Sequence, residues 1–204
     1  GDLFVLIVTF ASTLTIQLEF AIFVGVLTSL LVYLNRTTHP SLTRVAPDPG
    51  SAQRRFAPVA RSDALCPQLD ILRVDGSLFF GAVEHVRDEL EAARRERPQA
   101  QHVLLLGSGI NFIDIAGCEM LVQEARHLRD AGCVLYLSNL KPTVHDVLAR
   151  GGFLDELGRD RVFATKAEAI RAIYARLDTA VCAGCAVRVF HECRVALPDG
   201  TLRQ

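Results

Sequence analysis

The sequence predicts an α/β domain with a mixed β-sheet and helices, preceded by one or two transmembrane α-helices. Two observations carry this prediction. Between residues 68 and 178, short apolar runs alternate with segments in which apolar residues recur at helical spacing, a pattern typical of α/β domains. From Leu3 to Leu34 the only charged residue is Glu19, so this stretch is apolar enough for a lipid environment.

The N-terminal apolar stretch is long. As one helix, Leu3–Leu34 would measure about 48 Å, which exceeds a single bilayer crossing. Polar residues between positions 13 and 19 favour a break between a partial helix, Leu3–Leu14, and a fuller one, Leu18–Leu34. A single tilted helix and a buried soluble hairpin remain alternatives. A signal peptide fits poorly, because no basic start precedes the run and no small-residue cleavage site follows. Residues 1–34 are therefore predicted to form one or two transmembrane segments.

The next region, residues 35–67, has a different composition. It is rich in Pro, Ser, Arg and Ala, which predicts an irregular linker. One acid, Asp48, occurs before Asp63. The basic residues of the region are Arg36, Arg44, Arg54, Arg55 and Arg61. Because basic flanks of membrane segments favour the cytoplasmic side, we expect everything after about residue 35 to be cytoplasmic.

The first elements predicted in the domain are a β-hairpin, a helix and a strand. Apolar runs at Leu69–Val74 and Ser77–Phe80 flank Asp75-Gly76, and Asp-Gly between such runs is a strong hairpin signal. A helix is expected next, with one apolar face formed by Val83, Val86, Leu90 and Ala93. A buried strand follows at Val103–Leu106.

The stretch Ser108–Leu121 connects this strand to another helix. A loop is predicted over Gly107–Asp114, with Asp114 placed to cap the helix that follows. The apolar face of that helix consists of Cys118, Leu121, Val122, Ala125 and Leu128. Gly132 is predicted to end the helix, and Cys133–Leu137 reads as the next buried strand.

Local signals define the rest of the domain. Pro142 suits the first position of a helix, which a glycine pair at residues 151–152 closes. Arg161–Phe163 is predicted as a short edge strand. Thr165 and Glu168 have the spacing of a capping box, which marks the start of a last helix.

Asp114 to Gly117 form an Asp-x-x-Gly motif at a helix start between two short buried strands, and this arrangement resembles the STAS domain. That domain is shared by bacterial anti-sigma-factor antagonists and the cytoplasmic tails of SulP anion transporters. The resemblance covers residues 68–178. In the antagonists a phosphorylatable Ser follows the Asp, whereas this chain has Ile115 and Ala116, so no phosphoserine switch is expected here. The run Asn111-Phe112-Ile113-Asp114 is more similar to the transporter branch.

The N-terminal stretch extends the resemblance, because Thr9-Phe10, Thr13-Leu14 and Ala21–Val26 are similar to the last membrane helices of SulP transporters. The resemblance implies the C-terminal part of a secondary transporter of sulfate or a related inorganic anion, with the STAS domain serving assembly or regulation. Its implied partners are the rest of the membrane domain, a second copy of the chain and the lipid of an inner or plasma membrane. The start at Gly1 without Met is expected to mark a fragment. The alternative is a membrane-tethered STAS signalling or interaction module related to the antagonists.

No enzyme is predicted. The domain lacks a nucleophile elbow, a P-loop, a dinucleotide fingerprint and a zinc-protease motif. With 22 Lys and Arg against 23 Asp and Glu, the charge is nearly balanced, which argues against nucleic-acid binding.

One candidate binding site is the loop and helix start around Asp114. Backbone N–H groups and the helix dipole favour an anion at such a place. The resemblance adds a nucleotide or a regulatory protein as the ligand. The candidate residues are Ser108, Asn111, Asp114, Ile115, Ala116 and Gly117. For Asp114, a helix cap alone is the alternative.

A second candidate site lies in a predicted C-terminal tail, residues 179–204. The chain has six Cys and no secretory signal before them, which favours reduced thiols or a metal. Cys182, Cys185, His191 and Cys193 are the ligand types of a structural Zn²⁺ site. The alternatives are cysteines that pack as small apolar residues and a redox pair, although no thioredoxin-like strand precedes the pair.

Overall fold

The computed structural model describes residues 2–15, 18–47, 56–59 and 65–202, and it divides the chain into two compact units, residues 1–39 and 40–204. The first unit, called here the helical unit, contains α1 (Asp2–Thr15) and α2 (Leu18–Thr37). The two helices pack against each other, and a Cβ atom on Gly25 would lie 2.9 Å from Oγ1 of Thr9. The small residue therefore permits a close approach, and the predicted division into two helices is confirmed.

The helical unit leaves its large apolar side chains exposed. Leu3, Phe10 and Phe23 keep 70%, 63% and 72% of their surface accessible. Hydroxyl side chains bond within their own helix, as where Thr9 Oγ1 donates to the carbonyl oxygen of Val5 at 2.8 Å. None of the helices in the described part of the chain combines the length and apolar character that a membrane crossing requires.

The second unit, residues 40–204, is called here the domain, and it is built on a six-stranded sheet. Its strands are β1 (Ser41–Pro47), β2 (Phe56–Pro58), β3 (Leu69–Leu78), β4 (His102–Ile113), β5 (Val134–Ser138) and β6 (Val162–Phe163). Their order is β2-β1-β3-β4-β5-β6. Strands β3 to β6 run parallel, whereas β1 is antiparallel to both of its neighbours. The predicted mixed sheet and the edge strand near residue 163 are confirmed.

The predicted irregular linker over residues 35–67 is wrong in part, because β1 and β2 lie in it. Strand β1 pairs with β3, and Arg44 on β1 donates to both carboxylate oxygens of Asp70, at 2.9 and 3.2 Å. Arg44, which contributed to the composition of the predicted linker, thus pairs with a carboxylate distant in sequence. The end of α2 also lies in this region, at residues 35–37, and the predicted linker residues 48–55 and 60–64 lie outside the described residues.

The predicted hairpin at Asp75-Gly76 is also wrong. Strand β3 continues from Leu69 to Leu78 and pairs in parallel with β4. The pairing register shifts between Arg73 and Asp75 and again after Gly76. Gly76 has a φ of 145°, which side-chain-bearing residues rarely adopt. The glycine that signalled a turn therefore accommodates an irregularity inside a strand.

The predicted loop over Gly107–Asp114 belongs almost entirely to β4, which continues to Ile113. This extension depends on a close approach at Gly109, where a Cβ atom would lie 2.4 Å from the carbonyl oxygen of Val74. A larger residue would push the two strands apart. Glycine here allows backbone contact between strands rather than a loop.

Helices cover both faces of the sheet. The first face carries α3 (Val83–Glu96), α4 (Ile115–Asp130), α5 (Pro142–Arg150) and α6 (Phe153–Leu157). The second face carries α7 (Lys166–Tyr174), α8 (Thr179–Gly184) and α9 (Glu192–Val195). Successive strand residues point to opposite faces, so Leu105 lies in the first core while Leu104 and Leu106 lie in the second.

Several helix starts follow the predicted local signals. Pro142 occupies the first turn of α5. Thr165 Oγ1 accepts a hydrogen bond from Glu168 N at 3.2 Å, and the Glu168 side chain accepts one from Thr165 N at 3.3 Å. The predicted capping box is therefore present.

The C-terminal residues, predicted as a separate tail over 179–204, instead pack on the second face as far as the structure describes them, to residue 202. Phe190 is 3% exposed and belongs to the second core. The hydroxyl of Tyr174 on α7 donates to the carbonyl oxygen of Ala196 at 2.5 Å. The folded domain thus extends beyond its predicted end at residue 178.

Candidate functional site

Asp114 joins the start of α4 to the end of β3. Its Oδ1 accepts a hydrogen bond from Gly117 N at 2.9 Å, and its Oδ2 accepts one from Phe80 N at 3.0 Å. Its own N–H donates to the carbonyl oxygen of Leu78 at 3.1 Å. The predicted helix cap is confirmed, and both carboxylate oxygens bond to backbone N–H groups of the protein.

Gly117 lets the first turn of α4 lie against the sheet. A Cβ atom at this position would be 2.4 Å from the carbonyl oxygen of Leu78 and 2.9 Å from Cγ1 of Ile113. The Asp-x-x-Gly motif therefore has a structural role. Asp114 caps α4, and Gly117 allows the first turn of α4 to pack closely against the sheet.

The other predicted ligand residues lie on β4 and in the first turn of α4. Ser108 and Asn111 are exposed, and Asn111 Oδ1 accepts a hydrogen bond from Lys141 Nζ at 2.6 Å. Ile115 is exposed, and Ala116 is half-buried. The negative charge of the adjacent Asp114 opposes an anion at this helix start. Binding of an anion or nucleotide here stays a prediction.

Three exposed apolar side chains lie at or near this helix start. Phe80, Phe112 and Ile115 keep 81%, 56% and 66% of their surface accessible, and together they are called here the α4-start surface. The hydrogen bond to Asp114 brings Phe80 to the helix start, while the other two residues lie within two positions of Asp114 in sequence. Sequence reasoning missed this surface because it assigned Phe80 to a strand of the predicted hairpin.

The predicted zinc ligands are only partly brought together. Cys182, Cys185 and Cys193 line one small pocket, and Cys66 joins them there from the segment before β3. His191 is exposed at the start of α9 and does not line the pocket. Within the described ranges, no three His, Cys, Asp or Glu side chains are placed to hold a metal ion. The predicted ligand set with His191 is therefore not assembled.

Cys66 was missed because it lies far from the other three cysteines in sequence. Burial raises the pKa of its thiol to about 11, and the N–H groups of Gln68 and Leu69 act in the opposite direction. Nearby Cys193 and Cys182 raise this pKa further. At neutral pH the Cys66 thiol is therefore protonated.

A second cavity lies between α3 and α4 and is lined by charged side chains. Arg87 Nε lies 3.3 Å from a carboxylate oxygen of Glu124, and Arg94 Nη1 donates to the carbonyl oxygen of Ala100 at 3.0 Å. Burial raises the pKa of Glu124, against the opposing effect of His127 and Arg87. Arg87 therefore links α3 to α4, whereas Arg94 links α3 to the segment before β4.

Comparison with known proteins identifies the family to which this fold belongs. The STAS domain family matches residues 66–169, about half of the chain. Solute carrier family 26 member 10 of Mus musculus is 28% identical over 183 residues, which cover 86% of this chain and 27% of that protein. Sulfate transporter 1.1 of Arabidopsis thaliana is 25% identical over 170 residues, which cover 79% of this chain and 26% of that protein.

A solved structure is also similar to this chain. The murine Solute Carrier 26 family member A9 anion transporter in the inward-facing state aligns with a TM-score of 0.69 at 21% identity, covering 81% of this chain and 27% of that one. This likeness shows a shared fold. The chain spans about a quarter of the length of these relatives. The predicted resemblance to the SulP transporters is confirmed, and the chain belongs to the STAS domain family.

Proposed function

We propose that this chain is the C-terminal part of a SulP-type secondary transporter of sulfate or a related inorganic anion, and that its STAS domain supports assembly or regulation of transport. One observation carries the proposal. The match to Solute carrier family 26 member 10 covers 86% of the chain, whereas residues 40–204 are 165 of 204 residues, or 81%. The match therefore includes part of the helical unit, which favours a transporter over a separate signalling module.

The helical unit, in this function, belongs to the membrane domain of the transporter. Its exposed apolar side chains would contact lipid or neighbouring helices of an inner or plasma membrane. Glu19, near the start of α2, would face protein or water rather than lipid. The domain that follows would lie in the cytoplasm.

The α4-start surface is the part of the domain best suited to contact a partner. Two exposed phenylalanines and an isoleucine at one helix start gain stability when a protein surface covers them. We assign this contact to the rest of the transporter, including a second copy of the chain. Asp114 supports it indirectly, because its bond to Phe80 N fixes the backbone of the aromatic residue.

The test is uptake of radiolabelled sulfate by proteoliposomes that contain the complete polypeptide carrying this chain. Deleting residues 40–204 should abolish uptake or assembly. The double variant Phe80→Ser, Phe112→Ser should lower uptake, while Val195→Ser, an exposed apolar residue on α9, serves as the matched control. Unchanged uptake by an assembled protein that lacks residues 40–204 would contradict the proposal.

A further inference from the structure

The cysteine pocket on the second face of the sheet has no part in the proposed transport function. We propose that Cys182 and Cys185 form a dithiol site that hydroperoxides oxidise to an intrachain disulfide. Both residues line the same pocket, with Cys182 on α8 and Cys185 directly after it.

The backbone holds the two residues at a separation suited to a disulfide. The N–H group of Cys185 donates to the carbonyl oxygen of Cys182 at 3.2 Å, which closes a four-residue turn. Residues 182–184 belong to α8, and a helix radius of about 2.3 Å with a rise of about 1.5 Å per residue places Cα atoms three positions apart about 5 Å from each other. Disulfides join Cα atoms that are about 4.4–6.8 Å apart. The bond can therefore form with little backbone movement.

Accessibility selects the thiol that reacts first. Cys185 is half-buried, whereas Cys66, Cys182 and Cys193 are buried at 7%, 6% and 9% exposure. Cys185 is thus the thiol that a peroxide reaches.

Gln68 holds the second thiol in place. Its Oε1 accepts a hydrogen bond from Asp178 N at 2.8 Å, which fixes the orientation of the amide group. Its Nε2 donates to the carbonyl oxygen of Asp178 at 3.1 Å and to the sulfur of Cys182 at 3.3 Å. A hydrogen bond donated to sulfur stabilises developing negative charge, so Gln68 acts as a positioning residue for Cys182.

The chemistry proceeds in two steps. The Cys185 sulfur attacks a peroxide oxygen, which breaks the O–O bond, gives a sulfenic acid at Cys185 and releases water from hydrogen peroxide. The Cys182 sulfur then attacks the sulfenic sulfur, forms the S–S bond and releases a second water. Two thiols lose two electrons and two protons, and hydrogen peroxide accepts them.

The test uses the whole chain, reduced and purified in detergent. After treatment with hydrogen peroxide, the protein is denatured, labelled with N-ethylmaleimide and digested with trypsin. The peptide covering residues 177–188 should lose the mass of two hydrogen atoms and take up no label. Cys118 and Cys133, buried in the first core, should keep their label. Cys185→Ser should abolish the mass loss, and Ala186→Ser, at an exposed neighbouring position, should preserve it.

A second variant tests the positioning role. Gln68→Met removes the donor to Cys182, so the sulfenic acid at Cys185 should persist and be trapped by dimedone more than in the unaltered chain. Three results would overturn the proposal. The first is full labelling of Cys182 and Cys185 at a peroxide dose that oxidises glutathione, and the second is earlier oxidation of Cys133. The third is one bound zinc per purified chain that protects both thiols and is released by Cys66→Ser.

Discussion

The helical unit and the domain use their apolar residues in opposite ways. In the helical unit, long apolar side chains such as Phe4 and Phe23 remain exposed on two helices. In the domain, apolar side chains fill two cores on opposite faces of one sheet. A chain segment that packs its own core can fold alone, whereas one that leaves apolar surface uncovered depends on its surroundings.

Removing parts of the chain should have the largest effect. Residues 40–204 alone should unfold in one cooperative transition, because both cores lie within them. A polypeptide of residues 67–177 should lose that cooperativity, since it lacks β1 beside β3 and the helices α8 and α9 over the second core. Calorimetry measures the unfolding transition of each polypeptide. Equal melting midpoints for the two polypeptides would show that β1 and the C-terminal helices contribute nothing to the domain.

The next effect concerns a buried ion pair inside the domain. Asp70 accepts from Arg97 Nη1 at 3.0 Å, and both side chains are 4% exposed. Asp70→Ala should lower the free energy of unfolding by about 3–5 kcal/mol, because a buried guanidinium loses its carboxylate. Urea denaturation of residues 40–204 gives the value. Asp155→Ala removes an exposed carboxylate paired with Arg159 and should change nothing measurable. Equal effects of the two substitutions would contradict the burial argument.

The helix cap should have an intermediate effect. Asp114→Ala removes the acceptor for Gly117 N and Phe80 N and should lower the free energy of unfolding by about 1–2 kcal/mol. Asp114→Asn keeps one acceptor oxygen and should lose less. Chemical denaturation ranks the stabilities of the unaltered protein, Asp114→Ala and Asp114→Asn. If the two variants were equally unstable, the cap hydrogen bonds would not explain the loss of stability.

The smallest effect is a pH dependence in the second core. Burial lowers the pKa of His102, and the charge of Arg176 lowers it further. The folded state therefore favours the neutral imidazole, whose Nδ1 lies 3.2 Å from the hydroxyl of Tyr136. The His102 contribution to stability should be present above about pH 6.5 and decline as pH falls through the lower folded-state pKa.

The contribution of His102 can be measured by denaturing residues 40–204 at several pH values from about 7.5 to about 5. This range brackets the ordinary histidine pKa of about 6.5. The variant His102→Gln should show a weaker loss of stability on acidification than the unaltered domain. An identical pH dependence in both proteins would remove His102 from the explanation.

Short-range signals made helix starts on both faces of the sheet predictable. The Asp114 cap and the Thr165 capping box depend on residues three positions apart, so the sequence displays them directly. Gly76 and Gly109 misled for a physical reason. Glycine occurs where the backbone adopts a positive φ or approaches another backbone segment closely. A turn, a β-bulge and two closely paired strands all meet one of these conditions, so glycine alone does not distinguish them.

The features that sequence analysis missed depend mostly on contacts between residues far apart in the chain. Strand β1 is fixed by contacts of Arg44 with Asp70, 26 positions away, and no local pattern announces such a partner. The cysteine pocket likewise brings Cys66 and Cys182 together, and Gln68 donates a hydrogen bond to Cys182 across 114 positions. The α4-start surface was missed for a different reason. The sequence alone does not distinguish an exposed phenylalanine from one in the core.

The retention of protein in carbonate-washed membranes tests the central claim most directly, namely that an apolar unit of a transporter membrane domain is joined to a self-sufficient STAS domain. The chain of residues 1–204 and the polypeptide of residues 40–204 are expressed in parallel and compared. We expect residues 1–204 to stay in the washed membrane and residues 40–204 to be released as a folded soluble protein. Recovery of residues 1–204 as a soluble monomer without detergent would contradict the account.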